Sequence, residues 1–196
     1  MRWNRNGFTL VELVIALSIL ASMAALGMPP LLDLAGELRL HMAAQELNGT
    51  LRLARMQAAR CGFNVAVKFR GAGSSATYTL YRDGDGDGVL NRDIDAGVDP
   101  ALGLPRPLQY FSGRMRFGFP PGQRVRDPGS PRQWLALRDP IRFNNSDLAS
   151  FGPLGTSTPG SVYITDSRWR LMAVRVYGRT GKARILAYDF EEEIWR

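Results

Sequence analysis

Between Phe8 and Met28 the chain reads FTLVELVIALSILASMAALGM, 21 residues with a single charge, that of Glu12. No other stretch limits the fold as severely. An α-helix rises about 1.5 Å per residue, so this one is about long enough to cross a hydrocarbon core of ~30 Å. Its side chains are apolar almost all round, which leaves no polar face for water. A helix also satisfies its own backbone groups, as lipid requires. Arg2 and Arg5 precede the run. Positive charge before a first span keeps the N-terminus cytoplasmic, so the rest of the chain is expected outside the inner membrane.

Glu12 is the anomaly. A carboxylate at the centre of a membrane helix costs roughly 2.5–3.5 kcal/mol, and less near the edge. It marks a function and needs a partner. An ordinary secretory signal would be cut at a small-residue site after the apolar run. Here the run continues into helical sequence beyond Pro29-Pro30. An ordinary signal anchor has no use for Glu12. The segment Gly7-Phe8-Thr9-Leu10-Val11-Glu12 resembles the cleavage and methylation motif of type IV prepilins and type II secretion pseudopilins. The resemblance implies that a prepilin peptidase cuts after Gly7 and that Phe8 becomes an N-methylated N-terminus. It also implies that Glu12, at the fifth mature position, meets the N-terminal amine of a neighbouring subunit. In hydrocarbon an ammonium and a carboxylate are each costly alone, and pairing removes much of that cost. Such a pair would set the axial register of one subunit on the next.

Pro29-Pro30 is expected to kink the helix or shift its axis. Leu31 to about Arg60 resumes a helical pattern, with Leu34, Leu38, Met42, Leu47, Leu51, Ala54 and Ala58 on or near one face. Glu37, Arg39, Glu46, Arg52 and Arg55 lie largely off it, and Gly62 closes the helix. Beyond Gly62 the period changes to that of strands, expected at 63–70, 77–82, one or two within 108–119, then 134–137, 141–143, 162–164, 170–177 and 183–190. The chain thus reads as a leader (1–7), the membrane half of a helix (8–28), its soluble half (29–61) and a β-rich domain (62–196). The expected class is α+β: a long N-terminal helix packed on an antiparallel sheet or sandwich.

The C-terminal half carries a second resemblance. Phe151-Gly152-Pro153-Leu154-Gly155-Thr156, Gly160-Ser161-Val162-Tyr163-Ile164, Ala173–Tyr177 and Thr180-Gly181-Lys182-Ala183-Arg184 resemble the GspH/FimT branch of these proteins. The resemblance implies a pilin-like fold and a minor pseudopilin of type II secretion, anchored in a bacterial inner membrane and then drawn into a periplasmic filament with other pseudopilins. The alternative it implies is a FimT-like minor type IV pilin that holds DNA. For that duty Lys182 and Arg184 stand at alternate positions of a strand, where both could reach phosphates, with Arg179 and Arg175 extending the patch.

Asp83-Gly84-Asp85-Gly86-Asp87-Gly88-Val89-Leu90-Asn91 resembles the first nine positions of an EF-hand-type calcium loop. Carboxylates at positions 1, 3 and 5 would converge on a hard cation, Val89 would offer its carbonyl, and Asn91 would ligate directly or through water. Ile94 occupies position 12, where a bidentate acid belongs, so Asp93 or Asp95 would have to serve. The competing reading is a solvated acidic turn. Calcium would stiffen the loop, not catalyse.

Composition narrows the remaining classes. The net charge is +7; without Arg2 and Arg5 the 25 basic side chains become 23 against 18 acidic, or +5. That balance permits anionic lipid, nucleic acid or acidic partners without choosing among them. Cys61 and His41 each stand alone, which argues against a disulfide, a Cys/His zinc cluster or a histidine-dependent catalytic group. Cys61 reads as a buried small hydrophobe. No nucleophile elbow, phosphate loop or paired-carboxylate site stands out, and a non-enzymatic protein is expected.

Overall fold

A computed structural model describes residues 9–71, 76–108, 115–144 and 146–196. The expected leader, with Gly7 and Phe8, lies outside them, as do residues 109–114 of one expected strand region. The first element, α1, runs Leu10–Cys61 without interruption at Pro29-Pro30. The chain divides into two compact units, Met1–Leu38 and Arg39–Arg196.

In the first unit every residue from Leu10 to Met28 is exposed. The large apolar side chains among them keep 53–81 % of their surface uncovered. Burying one such side chain is worth about 1.5–3 kcal/mol, so water is the wrong surrounding for this segment. Its polar side chains are quenched locally: Ser18 donates to the Val14 carbonyl at 2.7 Å and Ser22 to that of Ser18 at 2.8 Å. Among the described residues, α1 is the one helix long and apolar enough to cross a membrane.

In the second unit, residues 39–61 of α1 supply a buried stripe of Leu40, Ala43, Ala44, Leu47, Leu51, Ala54 and Ala58. Gly62, with φ +76°, takes the left-handed turn that ends the helix. Two antiparallel sheets follow. One is ordered β3(Arg106–Pro107)-β2(Thr77–Arg82)-β1(Val65–Arg70)-β8(Leu148–Phe151). The other is ordered β12(Ile194–Trp195)-β11(Lys182–Asp189)-β10(Leu171–Tyr177)-β9(Gly160–Thr165)-β4(Arg116–Phe117), with β7(Ile141–Phe143) also on β9. The strands β5(Arg126–Asp127) and β6(Ser130–Trp134) form a separate ribbon, and the short helix α2 spans Asn91–Ala96.

Among the described residues, alternation along the strands builds the two larger of three cores, the third being Ala66, Val89, Ile94 and Leu148. Val65, Val67 and Phe69 of β1, Val162 and Ile164 of β9, and Met172, Val174 and Val176 of β10 join the helix stripe. Phe69 stacks on Phe143 at 5.7 Å and meets Phe117 edge-on at 5.7 Å. The intervening residues Tyr163, Leu171 and Ala173 face the other way and pack with Phe119, Val125, Leu135 and Tyr188. Strands β9 and β10 are therefore buried on both faces. Burial pushes the Tyr163 hydroxyl up to about 12, with help from the Asp127 charge.

Several expectations need correction. Leu34, Leu38 and Met42 do not join the buried face; each is about half exposed. Met42 and Leu47 are five residues apart, about 140° around a helix at 3.6 residues per turn, so they cannot share a stripe. Leu40, not Met42, leads into the alternating steps of four and three that run through Ala44, Leu47, Leu51, Ala54 and Ala58. The strand expected at 134–137 lies earlier, at Ser130–Trp134, because its partner is the Arg126–Asp127 segment. Cys61 is exposed, at the helix end. The short strands β3, β5, β8 and β12 and helix α2 have no counterpart among the expected elements.

Candidate functional site

Three features stand out: the start of α1, the acidic loop and a basic sheet face. Thr9 is the residue before α1, and Glu12 sits in its first turn. The Glu12 N–H donates to Thr9 Oγ1 at 3.2 Å. In return Thr9 donates its N–H and its hydroxyl to Glu12 Oε2, both at 3.0 Å. This is a reciprocal capping box, and the Thr-x-x-Glu spacing that signals it stands in the sequence. It satisfies donors that a helix start leaves open.

The acidic loop is built on one buried carboxylate. Asp83 Oδ1 accepts N–H bonds from Gly86 at 2.7 Å and Asp85 at 3.3 Å, and Oδ2 accepts from Gly88 at 3.0 Å and Asn64 Nδ2 at 2.7 Å. Burial opposes the Asp83 charge, but these bonds outweigh it and hold the carboxyl below its ordinary range. Carboxylate oxygens of Asp83, Asp85 and Asp87 lie within 4.8 Å of one another. Partial desolvation raises Asp87, and the adjacent Asp85 adds to the effect. The three carboxylates lie close enough together to be candidate oxygen donors to one hard cation.

The remaining expected ligands are placed differently. The Val89 side chain is buried; the ligand atom expected of it is the backbone carbonyl. Asn91 accepts from Lys68 Nζ and donates to Asp147 at 3.0 Å, and Lys68 also pairs with Asp147 at 3.3 Å. Asp95 pairs with Arg70 at 3.3 Å. The Asn91 and Asp95 side chains are thus engaged by other partners, and Asp95 is not among the carboxylates that converge. Arg92 instead reaches Asp87 at 2.8 Å and Asp93 at 3.2 Å. Sequence reasoning missed Asp99, which is 1 % exposed and accepts the N–H groups of Gly84 and Leu90 at 2.9 and 3.0 Å. It clamps the two ends of the loop together, from outside the motif.

The basic face lies on the second sheet. Lys182 and Arg184 project from the same side of β11, opposite Tyr177 and Arg175 of β10. Arg175 in turn is opposite Ser161, and Ser161 is opposite Arg142 of β7. Directly paired residues share a sheet face, so Arg142, Ser161, Arg175 and Arg184 form one row across four strands. Arg175 and Arg184 approach the Tyr177 ring at 5.5 and 6.0 Å. Arg179 is exposed in the β10–β11 turn, off the row. Asp127 of the β5–β6 ribbon reaches the same neighbourhood, because a Cβ at Gly129 would sit 2.8 Å from Arg175 and 3.2 Å from Asp127. Arg142 carries no motif that would have announced it.

Compared with known families, residues 4–28 match the prokaryotic N-terminal methylation motif. Residues 43–179 match the family described as type II transport protein GspH. No curated protein and no solved structure matches the chain.

Proposed function

The chain belongs to the GspH family of type II transport proteins, and from that membership we propose that it is a minor pseudopilin, a structural subunit of the type II secretion filament. In this reading a prepilin peptidase removes residues 1–7, the helix waits in the inner membrane with its C-terminal domain in the periplasm, and neighbouring pilin-like helices then replace lipid around it. The observation that carries the reading is the exposed apolar stretch Leu10–Met28 with the acid of Glu12 at its start. Only lipid or other helices can cover that surface favourably, and an acid held there calls for a partner. The test is Glu12→Ala in cells that hold the peptidase and partner subunits. Processing should be intact, and the fraction of subunit recovered in polymer should fall; normal incorporation refutes the pairing.

A second reading is a FimT-like minor type IV pilin that binds DNA. The row Arg142, Arg175 and Arg184 favours it, because arginines gathered on one sheet face can neutralise neighbouring phosphates, with Asp127 the carboxylate already beside Arg175. Full-length protein in detergent should then shift DNA in a gel, less so as salt rises, and Lys182→Ala with Arg184→Ala should abolish the shift. No shift at low salt removes this reading.

Calcium at the acidic loop is a proposal within either reading. The convergence of Asp83, Asp85 and Asp87 supports it; the donor set would be those three and the Val89 carbonyl, and its role would be to stiffen the loop.

A further inference from the structure

We propose that a recess at the β9 edge of the second sheet binds a carboxylate carried on an apolar group, with Arg116 and Arg138 as its two anion-binding arms. The strand edge builds the recess. β10 takes one side of β9, so β4 and β7 lie end to end along the other. The segment leaving β4 and the segment entering β7 meet at the backbone of Tyr163. Its carbonyl accepts the Gly118 N–H at 3.1 Å, and its N–H donates to the Pro140 carbonyl at 2.9 Å. Between these segments lies a recess of about 370 Å³, with Phe119, Pro120, Leu137 and Pro140 as apolar lining and Arg116 and Arg138 as its charges. Phe119 is buried and sets its ring 4.9 Å from that of Tyr163, which fixes one wall.

Arg116 is the residue that calls for a ligand. Its side chain folds back over Gly118, where a Cβ would lie 3.5 Å from its Nε. Its Nη2 reaches the Phe119 carbonyl at 3.4 Å, which is long for a hydrogen bond. Its Nε is buried and has no acceptor among the described residues. A guanidinium carries five N–H donors, and a buried donor without an acceptor costs free energy that a bound anion recovers. Arg138 is exposed. Among the described residues neither arginine forms an ion pair. The adjacent acid, Asp139, accepts the Ile141 N–H at 2.9 Å and lines a different recess with Lys68 and Arg70. Residues 109–114 contain no Asp or Glu.

The surroundings select the ligand. Guanidiniums bind a planar carboxylate through paired N–H bonds. The apolar lining favours an anion with a hydrocarbon body over phosphate, whose charged oxygens would lose water against it. The recess is also separate from the basic row. Arg116 is opposite Thr165 and Arg142 is opposite Ser161, four residues away on β9. That separation is about 13 Å along a strand.

The test titrates isotopically labelled full-length protein in detergent micelles with N-acetylphenylalanine and follows the Arg116 Nε–H resonance. A saturable shift at millimolar concentration is expected. N-acetylphenylalaninamide lacks the charge and acetate lacks the ring. Each should bind about tenfold more weakly, or less, the loss expected for one charge-assisted hydrogen bond or one buried apolar group. Arg138→Gln, at an exposed position, should weaken binding about tenfold, whereas Arg142→Gln should leave it unchanged. No shift, equal binding of the amide, or inorganic phosphate that matches N-acetylphenylalanine overturns the proposal. Acetyl-Glu-Phe-amide separates the two sources of carboxylate. Tighter binding of this probe assigns the recess to an acidic side chain of another protein; tighter binding of N-acetylphenylalanine assigns it to a chain terminus or a free acid.

Discussion

At the scale of the residue, the acidic loop shows how one side chain can organise its neighbours. Asp83 takes four hydrogen bonds while its companions Asp85 and Asp87 remain exposed. Its folded pKa is lowered. Its stabilisation is therefore present above the unfolded pKa and lost as pH falls through the folded one. Asp83→Asn should cost about 1–3 kcal/mol at neutral pH, the range for unmet buried hydrogen bonds. The gap from wild type in thermal melts should begin to narrow below about pH 4, the ordinary aspartate range, and go on narrowing as pH falls through the lower folded value. An equal gap at pH 3 and pH 7 would contradict this account. Asp87 has the opposite sign. Its folded pKa is raised, so its repulsion from Asp85 weakens the fold once both are ionised. A cation would relieve that repulsion, so millimolar calcium should raise the melting temperature, and more strongly as pH rises through the Asp87 value. No shift in wild type, or an equal shift in Asp85→Asn, speaks for a plain turn.

At the scale of the element, the soluble part of α1 is apolar on more than one side, yet only one stripe is buried. Leu51 is fully buried in the core that both sheets share, whereas Met42 is 47 % exposed. Leu51→Ala should therefore destabilise the domain by about 2–5 kcal/mol through the cavity it leaves. Met42→Ala should change stability by no more than about 0.5 kcal/mol, as at other surface positions. Melts of the two variants in mild detergent check this; equal losses would mean that the stripe is wrongly assigned. The strands show the same division of labour. Long strands such as β9 and β10 carry their own period-two alternation. The two-residue strands β3, β4, β5 and β12 exist because a neighbour supplies the other half of the ladder.

At the scale of the whole molecule, an uncleaved leader would keep Arg2 and Arg5 on the end of an apolar helix. Charged side chains are costly among packed membrane helices. Gly7→Ala should accordingly leave residues 1–7 on the chain, visible in the mass of the N-terminal peptide, and exclude the protein from polymer. A normal mature N-terminus would refute the assigned junction. The sequence by itself determined the long apolar helix, the position of its acid, the methylation motif around its start, the longer strands and the acidic turn, because each of these is written in contiguous residues and local physics. The Thr9–Glu12 cap was equally local, and its spacing was legible though unread. Tertiary structure alone decided which stripe of α1 is covered, that Asp99 clamps the loop, that Lys68 and Asp147 engage the Asn91 side chain, and that Arg142 joins Arg175 and Arg184 in one row. Those outcomes depend on which strand lies beside which, and a pairing between residues far apart in the chain has no period, cap or motif to reveal it beforehand.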